Sequence, residues 1–171
     1  MSIRVSDIFH TLNNAGIAYV VVGGVAVNLH GHTRFTKDLD LFIGFGNDNL
    51  KQALLTLQTH GFVPLLPVPI LDFADPDKRK MWIEEKGMVV FQLYEVADTS
   101  RRIDIFVDEP LPFDALLADA ARISLGVASD VPIASIAHLI QLKRIANRPQ
   151  DLSDIEKLQL IQMLNSREAK P

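Results

Sequence analysis

A strand that runs into two consecutive glycines, and thirteen residues later a strand that opens on two alternating carboxylates, most restrict what this chain can become. Ile17 to Val22 is β-branched and aromatic and predicts a buried strand, after which Gly23-Gly24 lets the chain turn tightly with its backbone bare. Bare amides can hold phosphate. Val25 to Leu29 reads as a short helix whose N-terminus faces that turn, adding unpaired N–H groups and the positive end of its dipole, with Gly31 as its stop. Asp38-Leu39-Asp40-Leu41-Phe42-Ile43 predicts a second strand, and alternation sets both carboxylates on one face, about 6.5 Å apart along the chain. Two ionised carboxylates that close repel, and a divalent cation relieves the repulsion. Oxygen ligands favour Mg²⁺ or Mn²⁺, and two such ions about 3.5–4 Å apart can clamp the attacking and leaving oxygens of a phosphoryl or nucleotidyl transfer.

Gly23-Gly24, the thirteen-residue spacer and Asp38-x-Asp40 together resemble the nucleotidyltransferase superfamily, which includes DNA polymerase beta and small antibiotic-modifying enzymes. The run Val-Val-Gly-Gly-Val-Ala-Val-Asn-Leu-His-Gly at 21–31, with Arg34-x-Thr36 leading into the aspartates, is most similar to its AbiEii-toxin-like and related bacterial branches. The resemblance implies a third carboxylate on a later strand. Within Arg102-Ile103-Asp104-Ile105-Phe106-Val107, Asp104 takes that place, on the face opposite Ile103 and Ile105. It further implies that Asp38 and Asp40 hold both metal ions, that Asp104 holds the catalytic one and draws the acceptor proton, and that the amides of Gly23 and Gly24 hold a triphosphate. Arg34 and Thr36 belong to the nucleotide side or orient the loop before the aspartates. Near the C-terminus, Leu139-Ile140-Gln141-Leu142-Lys143 and then Arg148-Pro149-Gln150-Asp151-Leu152-Ser153-Asp154-Ile155 resemble a family segment that packs over the nucleotide. There Lys143 would meet the triphosphate, with Arg148 and Asp151 ordering the helix junction or the substrate side. The family often has lysine where Gln150 stands.

The implied reaction moves a nucleoside monophosphate from a nucleoside triphosphate to a hydroxyl of RNA (tRNA included), protein or a small molecule, and the branch implies the toxin of a toxin–antitoxin pair with a cognate antitoxin. The alternative is a catalytically silent nucleotide-binding or partner-binding module on the same fold. A glycosyltransferase with Asp-x-Asp is weaker, because it has no use for the glycine spacing. Read singly, the residues leave alternatives open. The glycines could serve only a tight turn, Asp104 could pair with Arg101 or Arg102, and Asp108 and Glu109 suit a solvated turn. His30 and His32 suit loop contacts to backbone or substrate rather than zinc, and Trp82 and Tyr94 suit packing.

At 171 residues and 48% hydrophobic, the chain is long enough for one well-packed domain: an α/β nucleotidyltransferase-type mixed sheet flanked by helices over about 1–130, with a helical C-terminal lobe over about 131–171. Without cysteines there are no disulfides or thiolate zinc sites. No N-terminal stretch reads as a secretion signal and apolar runs are too short to span a bilayer, so cytoplasmic residence without a membrane partner is expected. A net charge of −4 without one long basic patch argues against tight nonspecific binding of nucleic acid, and Lys78-Arg79-Lys80 reads as a solvated helix start. Further expectations are a helix capped by Ser6 and ending near Gly16, and another from Asn47 or Asp48 to Gly61. The proline-rich stretch 62–77 should be an irregular or edge segment, and a hairpin should connect through Ala97–Ser100. A helix over Pro112–Ala121 and strands around Gly126 come next. A helix from Ser135 to Ile145 and, past Pro149, a last one over Ser153–Leu164 complete the chain.

Overall fold

The computed structural model describes residues 4–46 and 48–168. Its strands are β1 (Tyr19–Val22), β2 (Asp38–Ile43), β3 (Phe62–Pro64), β4 (Val90–Glu95), β5 (Asp98–Phe106), β6 (Ala121–Leu125) and β7 (Ala128–Ile133). They form one mixed sheet in the order β3-β4-β5-β2-β1-β7-β6. β1 runs antiparallel to β2 and parallel to β7, β2 runs parallel to β5, and β4–β5 and β6–β7 are hairpins. The helices are α1 (Val5–Asn14), α2 (Gly23–Leu29), α3 (Asn49–Thr59), α4 (Pro76–Lys86), α5 (Phe113–Ala118), α6 (Ile136–Ala146) and α7 (Pro149–Glu168). The sheet therefore extends to Ile133, and α6 and α7 form the helical lobe beyond it.

Alternation divides β2 and β5 into two chemically distinct faces. Leu39 and Leu41 pair with Ile103 and Ile105, which pair in turn with Leu93 and Phe91, and all six are buried. Phe9 of α1 stacks on Tyr19 at 6.1 Å, while Phe91 is stacked by Phe73 at 4.5 Å and by Trp82 at 5.6 Å, so the proposed packing role of Trp82 holds. Burying each such large side chain contributes about 1.5–3 kcal/mol. The opposite face carries Asp38, Asp40, Gln92 and Asp104, and is closed further along by Phe42 stacked on Phe106 at 4.2 Å.

Several elements depart from the sequence expectation, each for a local reason. α1 is capped at Arg4 rather than Ser6: the Asp7 carboxylate accepts the Arg4 backbone N–H at 3.1 Å, within the first turn. α2 starts at Gly23, inside the glycine pair, rather than after it. Pro76 and Pro149 open α4 and α7 instead of merely ending what precedes them, because the first helical position needs no N–H. The stretch 62–77 is the edge strand β3, a 3₁₀ turn at Ile70–Ala74 and the start of α4. Asp98–Ser100 belong to β5, so the hairpin connection is shorter than Ala97–Ser100. Arg79 is not merely solvated, since it lies 4.4 Å from the Phe45 ring centroid and donates to the Phe73 carbonyl at 2.8 Å. Ser135 caps α6 as expected, its hydroxyl accepting the His138 N–H at 3.2 Å. Of the two residues expected to start α3, Asp48 precedes it and Asn47 lies outside the described residues.

The helical lobe is fastened to the sheet by buried charge. The Lys143 ammonium of α6 donates to Asp154 at 2.5 Å and to Asp151 at 3.3 Å, both on α7, and all three are at most 5% exposed. Asp154 also pairs with Arg34 Nε at 3.1 Å and accepts from Gln150 at 3.2 Å. Asp151 accepts the Arg148 backbone N–H at 3.1 Å and its Nε at 2.8 Å, bonds that lie at the α6–α7 junction. Removing one partner strands a buried charge, so Asp154→Ala should cost about 3–5 kcal/mol in urea unfolding, and Asp154→Leu combined with Lys143→Met should cost less than the sum of the single changes.

Candidate active site

The parallel register of β2 and β5 sets Asp40 directly beside Asp104, and Asp38 beside Arg102. Extended across four strands, that row reads Val22, Asp40, Asp104, Gln92 on one face of the sheet. A cleft of about 680 Å³ opens over it. Every residue the sequence singled out for the site lines this cleft: Gly23, Gly24, Arg34, Thr36, Asp38, Asp40, Asp104, Lys143 and Arg148. The sequence reading missed its apolar wall, where Met88 and Val89, between α4 and β4, face Leu139, Leu142 and Ile145 of α6. Only docking of α6 brings those two segments together, so no local pattern announces them.

Both glycines are required by close approach. Gly23 sits at φ +63°, and a Cβ there would run into the Asp40 carboxylate. A Cβ on Gly24 would come within 2.6 Å of Thr36 Oγ1 and 2.8 Å of Arg34 Nη2. The Gly24 amide favours the ionised form of the Asp40 carboxyl. Thr36 and Arg34 therefore close over the glycine turn, and Arg34 ties it to α7 through Asp154.

Burial, and then the charges of Asp104 and Asp38, push the Asp40 carboxyl up to about 7 against the pull of the Gly24 amide and Arg148. Burial raises Asp104 as well. Gln92 opposes that shift by donating to its Oδ1 at 2.7 Å, Asp38 adds to it, and the field of Arg102 opposes it. Asp104 thus feels Arg102 but makes no ion pair with it or with Arg101 among the described residues; Arg101 lies 3.2 Å from Glu95. Three carboxylates on one face, two of them driven towards neutrality, form an anionic oxygen set whose strain a hard dication would relieve. Among the described residues, no three His, Cys, Asp or Glu side chains already converge as a ligand cluster.

On the cationic side, Arg148 is 74% exposed at its side chain and close enough to be raised by Asp40 after its hydrogen bond to Asp151. Its guanidinium lines the cleft while bonded to Asp151 through Nε at 2.8 Å and Nη2 at 3.3 Å. Lys143 lies along the same wall, yet its ammonium is engaged by Asp151 and Asp154. His30 contacts the Ala134 carbonyl at 2.8 Å, a backbone contact of the kind expected, and Asp108 sits exposed on the cleft's rim.

Two outcomes check this geometry. The folded value of Asp40 lies above its unfolded value of 3.8, so the stability contributed by its neutral form is fully present below about pH 4 and lost as the pH rises towards 7. Metal-free protein should lose up to about 4 kcal/mol over that window in urea titrations, and Asp40→Asn should flatten the slope. Gly23→Ala should displace the Asp40 carboxylate and abolish any Mg²⁺-dependent rise in melting temperature while the chain stays folded by circular dichroism.

Residues 2–55, which carry the glycine pair and both aspartates of β2, match a family described as "Nucleotidyl transferase of unknown function (DUF2204)". No curated protein matches. Among solved structures, the chain is similar to the antibiotic-resistance factor ANT(2'')-Ia in solution, at 13% identity over 95% of this chain and 89% of that one, with a TM-score of 0.54. It is similar to ANT(2'')-Ia in complex with adenylyl-2''-tobramycin, at 14% identity over 95% of each chain and a TM-score of 0.52. It is also similar to an antigenic nucleotidyltransferase-like protein from Paracoccidioides brasiliensis, at 20% identity over 90% of this chain and 72% of that one, with a TM-score of 0.53. The segment that carries the glycine pair and the β2 aspartates is thus similar to a nucleotidyltransferase family, and the chain as a whole shares the fold of these nucleotidyltransferase structures.

Proposed function

We propose that this protein transfers a nucleoside monophosphate from a nucleoside triphosphate to a hydroxyl acceptor, with Mg²⁺ or Mn²⁺ held by Asp38, Asp40 and Asp104. The observation that carries the reading is the Asp40–Asp104 pairing beneath the glycine turn, with Asp40 raised to about 7 by burial and by its acidic neighbours. A module that only bound a partner would gain nothing from burying carboxylates that repel one another, which speaks against the catalytically silent alternative. When bound, the cation neutralises charge on the transferring phosphate and its leaving oxygen.

The chain's own groups divide the remaining work. The amides of the Gly23-Gly24 turn, at the N-terminus of α2, and the Arg148 guanidinium suit the phosphates of the triphosphate. Arg34 and Thr36 hold that turn in place. The walls of Met88, Val89, Leu139, Leu142 and Ile145 exclude water along one side and suit a nucleobase. Asp104, oriented by Gln92, accepts the proton of the attacking hydroxyl. The new bond joins the acceptor oxygen to the α-phosphorus, the bond from that phosphorus to the bridging oxygen breaks, and pyrophosphate leaves. The engagement of Lys143 with two buried aspartates suits it to anchoring the lobe that carries Arg148, with any phosphate contact made only by release from that pairing. Action as a toxin with a cognate antitoxin rests on the sequence resemblance alone. No described helix is long and apolar enough to cross a membrane.

Each of the four α-³²P-labelled triphosphates, incubated with the protein and Mg²⁺ in the presence of RNA, protein or small-molecule acceptors, should reveal label transfer with at least one pairing. Asp38→Asn and Asp40→Asn should abolish it while leaving the metal-free fold as stable or more so. Asp104→Asn should lose turnover yet keep much of its triphosphate affinity by calorimetry. Turnover equal to wild type in the β2 variants would sink the metal assignment, and absence of any Mg²⁺–triphosphate effect on melting temperature at millimolar ligand would favour the silent module.

A further inference from the structure

Beside the transfer site the surface turns basic and aromatic. A second hollow of about 540 Å³ lies between the loop 35–37 and the start of β5, and it shares Thr36 and Asp38 with the cleft. A molecule seated there is therefore continuous with the reacting centre. On its rim Phe35 is 79% exposed, with the Lys37 ammonium 5.9 Å from the ring centroid. One exposed ring would mean little by itself. Here it stands with two exposed cations, Lys37 and Arg102, neither of which makes an ion pair among the described residues, whereas Arg101 on the same strand is engaged by Glu95. Arg102 stands opposite Asp38 in the ladder, so its charge lies at the edge of the three-aspartate face.

That chemistry selects among acceptors. A cationic, amine-rich acceptor would be repelled by Lys37 and Arg102. A phosphate-bearing acceptor, unfavoured by a chain of net charge −4 as a whole, finds at this hollow the cations Lys37 and Arg102 beside the single carboxylate Asp38. A flat exposed ring beside cations suits an unpaired base with its backbone phosphates, since aromatic faces stack bases regardless of sequence. Resting on the transfer reading above, we propose that this hollow is the acceptor subsite and takes the single-stranded end of an RNA. A base stacks on Phe35, phosphates lie against Lys37 and Arg102, and the terminal hydroxyl reaches past Asp38 to Asp104. The bonds are those of the transfer itself: the RNA oxygen joins the α-phosphorus, pyrophosphate departs, and the hydroxyl proton passes to the Asp104 carboxylate and then to solvent.

The test is an anisotropy titration of a short fluorescein-labelled single-stranded RNA against wild type, Phe35→Ala and Lys37→Ala across a salt series, with triphosphate-induced stabilisation recorded on the same three proteins. Phe35→Ala should weaken RNA binding about tenfold to a hundredfold. Lys37→Ala should weaken it and lower the slope of log affinity against log salt by roughly 0.7, the share of one phosphate contact on a single strand. Triphosphate stabilisation reports on the adjoining cleft, which neither Phe35 nor Lys37 lines, and should persist in both variants. Absence of RNA binding at low salt, or equal affinity in all three proteins, overturns the subsite. So does transfer of label to an added polypeptide by a protein that binds no RNA. If wild type shows no triphosphate stabilisation while RNA binding still depends on Phe35 and Lys37, the transfer reading falls and the RNA-binding hollow stands.

Discussion

The parallel pairing of β2 with β5 is the constraint on which the rest of the site depends. It sets Asp40 against Asp104 on adjacent strands, and two carboxylates so placed under a covering lobe cannot both carry full charge cheaply. The consequences spread outward. Gly23 must lack a side chain because Asp40 occupies the space, Gly24 must lack one because Thr36 and Arg34 press against it, and Gln92 must stand opposite Asp104 to donate to it. The loop carrying Arg34 and Thr36 is thereby drawn over the turn. What looks like a phosphate-binding glycine motif is equally a packing solution around one raised carboxylate.

A second set of charges does the opposite job. Lys143, Asp151 and Asp154 are more deeply buried than the site aspartates, yet they are matched in sign and hydrogen-bonded, with Arg34 and Arg148 at the two ends. Such a cluster adds little net stability over an apolar core, but it admits one arrangement of the helices and penalises others. Arg34 belongs to both systems, touching the glycine turn at one side and Asp154 at the other. The position of the helical lobe and the shape of the glycine turn are therefore mechanically joined, and the lobe in turn supplies Arg148 and the Leu139, Leu142 and Ile145 side of the apolar wall.

The elements nearest the chemistry were the most legible in the sequence. β2 runs from Asp38 to Ile43 as the alternation of charge and branched residues implied, because a strand whose Leu39 and Leu41 face is fully buried leaves the two aspartates only the other face. Asp104 was reached through the resemblance, and alternation then set it on the face opposite Ile103 and Ile105. Less legible were α1, whose cap came from Arg4 and Asp7 rather than Ser6, and the helix starts at Gly23, Pro76 and Pro149. At those places a residue that can stop one element can also begin the next, and local propensity does not choose between them.

What the sequence determined by itself, beyond the third carboxylate that the resemblance implied, was a bare turn and two carboxylates on one strand face. These depend on periodicity and backbone freedom, which are properties of a few neighbouring residues. What only the tertiary structure decided was which partners those groups keep. The resemblance casts Lys143 as a cation for phosphate, yet folding hands it to Asp151 and Asp154, because burial in the helix pair makes an unmatched ammonium far more costly than an ion pair. The elevation of Asp40 likewise belongs to no local pattern; it arises where strands distant in the chain bring like charges together out of water.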